Sequence, residues 1–238
     1  MTRAETKPIA VAVDSDTRVS GLFSRGAKSK ALFVFAPGAG AGITHSFMED
    51  VAAGLAEREI ATLRYQFPYM ERGSGRPDAP PVCHATVRAA VEEAARLLPG
   101  VPVFAGGKSF GGRMTSQAQA LSPLPGVRGI VFLGFPLHLA KKPSDTRAAH
   151  LSDVRIPMLF LQGTRDELAD LTLLEPITRK LGSFATLEKI EAADHGFHVL
   201  VRSGRTNAQV MSELLDKISS WIGNDEGRPE APTSHRRS

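Results

Sequence analysis

The sequence predicts an α/β fold in which helices cover both faces of a mostly parallel sheet. Short apolar runs alternate along the chain with segments whose apolar residues recur at helical spacing. The runs lack the polar alternation of a half-exposed strand, which indicates that both faces of the sheet are buried. The chain has 238 residues, 42% of them hydrophobic, which suits one core of ordinary size. We expect a single domain over residues 1–223 and a disordered polar tail over residues 224–238.

The first half of the chain predicts four strands and two helices. Each strand is a short β-like run bounded by polar or glycine-rich turns. The first helix carries Phe47, Val51 and Leu55 on one face and follows Thr44, its predicted N-cap. The second helix has amphipathic spacing and stops at a Pro-Gly pair. The predicted order is strand 8–13, strand 19–23, strand 31–35, the first helix, strand 60–65, a loop over 66–81 rich in proline, glycine and arginine, and helix 83–98.

The second half continues the alternation. Three further strands are continuous apolar runs, as expected for strands buried on both faces, and a fourth is weaker. The final helix is predicted from apolar residues at helical spacing, among them Val210, Leu214 and Trp221. The predicted order is strand 101–105, helix 110–121, strand 129–134, strand 158–161, strand 185–190 and the final helix.

The distribution of charge does not favour a nucleic-acid partner. The net charge is +4 and the pI about 9.4, but residues 1–30 carry +3 of that charge and residues 31–223 only +1. No basic run is longer than two residues, which is a poor footprint for a polyanion. The single cysteine, Cys83, fits a reducing compartment, and we find neither a secretory signal nor an apolar run long enough to span a bilayer. We expect a cytoplasmic protein without a membrane or nucleic-acid partner.

Residues 107–111 read Gly-Lys-Ser-Phe-Gly and match the G-x-S-x-G pattern of a nucleophile elbow. The motif lies between an apolar strand and a predicted helix, where the chain must turn sharply. Glycine at positions 107 and 111 removes Cβ atoms that would clash in such a turn. Ser109 would then lie at the carboxyl end of the strand and at a helix N-terminus, which favours negative charge.

Two phosphate-binding patterns are partly matched by the chain, one at the elbow motif and one at the glycine-rich run 38–42, and neither is complete. A G-x-x-x-x-G-K-S loop would need glycine where the chain has Pro102, and the residues between form a strand. The glycine-rich run at 38–42 misses the dinucleotide pattern because Ile43 follows it. No metal or organic cofactor is predicted.

A serine nucleophile needs a base, and the base needs an acid to fix its tautomer. After an elbow of this kind the acid comes first in the chain and the histidine second. Asp166 follows the strand at 158–161, and His195 follows the strand at 185–190, so both lie at the sheet edge where Ser109 emerges. Glu167 and Asp170 remain substitutes for the acid. His198 remains the alternative base.

An oxyanion hole requires backbone N–H groups at the residue after the nucleophile and in an early strand-to-helix loop. Phe110 supplies the first group. The loop Pro-Gly-Ala-Gly at 37–40 occupies the place of the second, and Ala39 is the candidate donor. Small residues at this loop would let the backbone approach a substrate carbonyl closely.

Taken together, these motifs resemble the α/β-hydrolase superfamily over nearly all of the chain to about Gly223. The segments Ala-Pro-Gly-Ala-Gly at 36–40 with His45, the stretch from Arg64 to Met70, and Gly-Lys-Ser-Phe-Gly-Gly-Arg at 107–113 resemble a small lidless branch close to dienelactone-hydrolase-like proteins. The resemblance implies an eight-stranded sheet with one antiparallel strand near the N-terminus, and serine-dependent hydrolysis of an ester or similar acyl bond. True dienelactone hydrolases use cysteine where this chain has Ser109.

The sequence therefore predicts a serine hydrolase acting on a small acyl substrate through an acyl-enzyme. About twenty residues separate Phe135 from Pro157, too few for a helical cap domain, so the cleft should be open. The lysines at 108, 141 and 142 and Arg113 suggest an anionic substrate, although solvated or structurally paired cations explain them equally well. Some relatives in this branch are assembly subunits, so a non-catalytic binding module is the alternative; the oligomeric state stays open. The candidate substrate-binding residues are His45, Arg64, Tyr69, Lys108 and His138.

Overall fold

A computed structural model describes residues 5–224. Within this range eight strands form one sheet, in the order β1-β2-β4-β3-β5-β6-β7-β8. Only β2 runs antiparallel to the others, since it pairs antiparallel with both β1 and β4. The strands are β1 (Glu5–Ala12), β2 (Arg18–Arg25), β3 (Ala31–Ala36), β4 (Ile60–Tyr65), β5 (Val103–Lys108), β6 (Val127–Leu133), β7 (Met158–Gly163) and β8 (Ala185–Ile190).

The helices divide between the two faces of this sheet. They are α1 (Ser46–Glu57), α2 (Pro68–Glu71), α3 (Pro80–Leu97), α4 (Phe110–Leu121), α5 (Leu171–Leu181) and α6 (Asn207–Gly223). Alternate residues of the same strand serve opposite cores: Leu32 and Val34 pack with α3 and α4, whereas Phe33 and Phe35 pack with α1 and α6. This double burial explains the continuous apolar runs and confirms the predicted α/β-hydrolase architecture.

Three local predictions were wrong. The N-cap of α1 is His45, whose Nδ1 accepts the N–H of Phe47 at 3.2 Å, and Thr44 lies one residue outside. The loop predicted over 66–81 contains the short helix α2 and the first two residues of α3, which begins at a proline. Helix α5 was not predicted because Pro176 interrupts its sequence.

The remaining boundaries agree to within a few residues. Strands β4 and β8 and helix α4 begin and end where the sequence predicted. The predicted tail lies outside the described residues except for Asn224, and the boundary at 223 stays a prediction. No described helix combines the length and apolar character needed to cross a membrane.

Candidate active site

Ser109 lies on a sharp turn between β5 and α4. Its backbone has φ 49°, in the left-handed region that non-glycine residues seldom occupy. A Cβ atom on Gly107 would come within 2.4 Å of the Ala36 carbonyl oxygen, and one on Gly111 within 2.5 Å of the Pro37 oxygen. Both glycines are therefore required for the turn to pack against the end of β3.

The structure brings Ser109, His195 and Asp166 into one hydrogen-bonded row. The His195 Nδ1 atom lies 2.7 Å from Asp166 Oδ2, and its Nε2 atom lies 2.9 Å from Ser109 Oγ. If Nδ1–H donates to the carboxylate, Nε2 is left as the acceptor for the serine hydroxyl. In this tautomer His195 can take a proton from Ser109.

Asp166 is buried just after β7, and its carboxylate accepts hydrogen bonds from three directions. Oδ1 accepts the N–H of Leu168 at 2.8 Å, while Oδ2 accepts both His195 and the side-chain amide of Gln162. Gln162 is fully buried and its Oε1 accepts the N–H of Phe135 at 2.9 Å. The sequence analysis missed Gln162, although a glutamine at the end of an otherwise apolar strand was a usable signal.

His195 lies in the segment that follows β8, which contains two non-glycine residues with positive φ, Ala192 at 60° and Phe197 at 63°. The main-chain oxygen of His195 accepts a hydrogen bond from Lys108 Nζ at 2.5 Å. The residue that precedes Ser109 is thus joined directly to the segment that carries His195.

The alternative acid and base lie outside this row. His198 is exposed, and its Nδ1 atom is 3.6 Å from Asp194 Oδ1. Asp170 is the N-cap of α5 and accepts the N–H of Thr172 at 2.8 Å. Glu167 is exposed to solvent.

The two candidate oxyanion donors flank Ser109. Phe110 is the first residue of α4, so its N–H has no intrahelical partner. Ala39 follows β3 and lines the same cavity as Ser109. The Tyr69 hydroxyl donates to the Ala39 carbonyl at 2.9 Å, which fixes this loop.

A cavity of about 990 Å³ opens beside Ser109 and His195. From there it runs along the surface between α1 and α6, where its walls carry mostly small or apolar side chains, including Phe47, Ala53, Ala208 and Met211. This volume is at the upper end for a small-molecule site. The cavity can hold an acyl substrate with a sizeable apolar portion.

Of the five candidate substrate-binding residues, His45 and Lys108 line this cavity. Neither Arg113, whose guanidinium lies 5.8 Å from the centre of the Phe110 ring, nor the exposed pair Lys141 and Lys142 lines it. Of the four cations that suggested an anionic substrate, only Lys108 therefore lines the cavity.

The structure places the other three candidates away from the cavity. Arg64 is buried and donates to the Ile43 carbonyl at 2.7 Å, so it supports the loop after β3. Tyr69 is buried and supports Ala39 as described above. His138 uses both ring nitrogens within the fold: Nδ1 bonds the Leu139 carbonyl and Nε2 accepts the N–H of Asp170, each at 2.8 Å. A place at the carboxyl end of a strand suggests Arg64 and Tyr69, and residue type suggests His138, but neither signal predicts the direction of a side chain.

Burial lowers the pKa values of several basic groups near the elbow, among them Lys108, Arg113 and His150. Burial lowers the pKa of Lys108 to about 8, against the attraction of Asp166 and Asp194, which raises it. Burial, together with the Arg113 charge, lowers the pKa of His150 to about 4. His150 Nε2 lies 2.8 Å from the hydroxyl of Ser116, and neither residue lines the cavity.

Comparison with known proteins agrees with this fold. A family model described as an α/β hydrolase domain matches residues 29–223. A dienelactone hydrolase from Anabaena variabilis superposes with a TM-score of 0.73 at 19% identity, over 93% of this chain and 98% of that one. A lidless α/β serine hydrolase from Xanthomonas campestris gives a TM-score of 0.71 at 19% identity, over 96% and 97%. The chain thus belongs to the α/β-hydrolase family, and its fold is similar to the lidless, dienelactone-hydrolase-like serine hydrolases.

Proposed function

We propose that this protein is a serine hydrolase that cleaves an ester or thioester of a small acyl substrate. The observation that carries the proposal is the row Ser109–His195–Asp166, which opens on a cavity large enough for the substrate. A serine hydroxyl is a weak nucleophile unless a neighbouring base removes its proton, and His195 is within reach to do so.

In the first half of the reaction, Ser109 Oγ attacks the acyl carbonyl carbon and its proton passes to His195 Nε2. The N–H groups of Ala39 and Phe110 donate to the resulting oxyanion. Asp166 stabilises the imidazolium that forms. Collapse of the tetrahedral intermediate breaks the bond to the alcohol or thiol, which leaves with the proton from His195.

In the second half, a water molecule attacks the acyl-enzyme and gives its proton to His195. The second tetrahedral intermediate releases the carboxylic acid, and the proton returns to Ser109. The alcohol product and the acid product leave the enzyme in its starting state. The open cavity between α1 and α6 offers space for the apolar part of the substrate.

The alternative, a non-catalytic binding or assembly module, has no need of this row. A structural role would not require a strained serine backbone, a buried carboxylate and a histidine aligned between them. The hydrogen-bonded row therefore favours catalysis.

Labelling with a fluorophosphonate probe tests the proposal, because such probes phosphonylate activated serines. We expect labelling of the wild type and its loss in Ser109→Ala and His195→Ala, with His198→Ala still labelled. Ser116→Ala is the matched control: Ser116 also bonds a histidine, but neither lines the cavity, so labelling should persist. A folded wild type that does not label supports the binding module instead, and labelling that survives Ser109→Ala refutes the assigned nucleophile.

A further inference from the structure

Lys108 occupies the variable position immediately before Ser109, yet its ammonium does not point to solvent. Nζ donates a hydrogen bond to the main-chain oxygen of His195 at 2.5 Å. We propose that Lys108 is a positioning residue that fastens the segment carrying the base to the elbow carrying the nucleophile. This inference rests on the proposed function, since it assigns Lys108 a role in the geometry of that reaction.

The surroundings of the ammonium support a tether. Nζ lies 5.2 Å from the centre of the Phe197 ring and 5.8 Å from that of Phe47, and the two rings stack on each other at 5.8 Å. Aromatic faces attract a cation and take the place of water around it. Lys108 thus connects three parts of the site: the elbow, the segment after β8 and the first turn of α1.

The packing around Lys108 leaves little freedom. Gly134, at the end of β6, has φ 75°, and a Cβ atom there would come within 3.2 Å of Nζ and 3.3 Å of the His195 ring. Among residues 5–224, no carboxylate lies within ion-pair distance of Nζ. The partly buried ammonium is therefore satisfied by the His195 carbonyl and the two rings, not by a salt bridge.

The segment after β8 has a physical need for such a tether. Ala192 and Phe197 both hold positive φ, a conformation that persists only where surrounding contacts enforce it. Phe197 is itself one of the rings against Lys108. Loss of the ammonium would release the His195 carbonyl and the Phe197 ring together, so the distance from His195 Nε2 to Ser109 Oγ would no longer be fixed.

The charges that face the ammonium are Asp166, from the loop after β7, and Asp194, from the segment after β8, while α1 faces it with Phe47. Burial holds the pKa of Lys108 near 8 despite these carboxylates. Above that pH the amine is neutral, its hydrogen bond loses charge assistance and its attraction to the rings disappears. Activity should therefore fall with a midpoint near pH 8 in the wild type.

A different use of the same cation is recognition of an anionic group on the substrate. Kinetics distinguish these two roles. A tether affects the chemical step, and therefore kcat, for every substrate, whereas recognition affects the binding, and therefore KM, of anionic substrates. The hydrogen bond to His195 and the enclosure by two rings favour the tether.

The test compares the wild type with Lys108→Met, which keeps an unbranched apolar side chain as far as the ε position and removes the donor. Arg113→Met is the matched control, since Arg113 is a second cation close to the elbow that lies against Phe110 and makes no described contact with the segment after β8. The measurements are kcat and KM for p-nitrophenyl acetate and for p-nitrophenyl hemisuccinate between pH 6 and 10, and amide hydrogen exchange over residues 192–198.

For Lys108→Met we expect kcat to fall about 10- to 100-fold for both esters with little change in KM. The decline near pH 8 should be absent, and exchange over 192–198 should be faster than in the wild type. We expect the melting temperature of the variant at pH 7 to stay close to that of the wild type, because relief of the lysine's desolvation and loss of its hydrogen bond to the His195 carbonyl oppose each other, and this separates the effect from misfolding. Arg113→Met should retain wild-type exchange over 192–198.

Unchanged kcat in Lys108→Met overturns the inference, and so does a loss confined to KM for the anionic hemisuccinate ester. Failure of the proposed function itself gives a different result, because the wild type would then hydrolyse neither ester. In that case the exchange measurement still decides whether Lys108 holds the segment, and unchanged exchange refutes the tether.

Discussion

Replacing Gln162 with methionine should damage both the stability of the protein and the proposed reaction. Gln162 is fully buried, and its amide joins the Phe135 N–H to the Asp166 carboxylate. Methionine fills a similar volume, so little is lost through a cavity. What the variant removes is an acceptor for Phe135 and a donor to Asp166.

The magnitude follows from these two partners. Leaving the buried Phe135 N–H unsatisfied costs about 1–3 kcal/mol, and losing a hydrogen bond to a carboxylate about 1.5–3 kcal/mol. Asp166 keeps the Leu168 N–H and His195, which limits the sum. We expect the free energy of unfolding to fall by about 3–5 kcal/mol. Rotation of the freed carboxylate would displace His195 and slow serine labelling by up to about 100-fold.

Urea unfolding and the rate of fluorophosphonate labelling measure the two effects. Gln119→Met is the matched control, because Gln119 is also a buried glutamine. Its Oε1 accepts the main-chain N–H of Leu124 at 2.8 Å, and this hydrogen bond involves no carboxylate. The control should lose about 1–3 kcal/mol of stability and keep its labelling rate. If Gln162→Met labels at the wild-type rate, the network around Asp166 does not position the base and the reasoning is refuted.

Three further predictions concern the oxyanion loop, the cavity and a buried histidine. Tyr69→Phe removes the hydrogen bond to the Ala39 carbonyl. It should lower the free energy of unfolding in urea by about 1 kcal/mol and lower kcat about tenfold. Unchanged kcat would show that Ala39 needs no such support. Ala208→Trp should narrow the cavity. The ratio of kcat/KM for p-nitrophenyl octanoate to kcat/KM for p-nitrophenyl acetate should therefore fall about tenfold. An unchanged ratio would show that the acyl chain binds elsewhere. The pKa of His150 is lowered to about 4 from an unfolded value of 6.5, so the unfolded chain binds the extra proton in this interval. Stability should therefore fall by about 2 kcal/mol from pH 6.5 to 4, and His150→Gln should remove that part of the slope in pH-dependent urea unfolding.

Much of the fold could be predicted because local sequence and burial agree. The strand at β4 and the helix α4 carry patterns with only one reading, and both appear with the predicted bounds. Helix α5 was missed because Pro176 is a poor helix residue in isolation. Its buried Leu174 joins the same core as residues of α3 and α4, and this burial stabilises the helix despite the proline.

The residues of the candidate site likewise divide into those whose position the sequence predicted and those whose contacts it did not. Ser109, Asp166 and His195 each follow a strand, and parallel strands bring their carboxyl ends to one edge of the sheet. Arg64, Tyr69 and His138 have similar positions in the sequence, yet their side chains serve the loops of the fold. Gln162 lies in a strand whose neighbours are apolar, so its partner could not be named from the chain.

The sequence by itself determined the order of the eight strands and of helices α1, α3, α4 and α6 along the chain, the resemblance to a family, and the strand ends that carry a serine, a histidine and a carboxylate. The elements follow from periodicity and turn chemistry, which are local properties of the chain, and the resemblance follows from short motifs. Only the tertiary structure decided which side chains face the cavity, and that Lys108 and Gln162 donate hydrogen bonds to His195 and Asp166. Those contacts join residues far apart in the chain, and their direction depends on packing that no local pattern encodes.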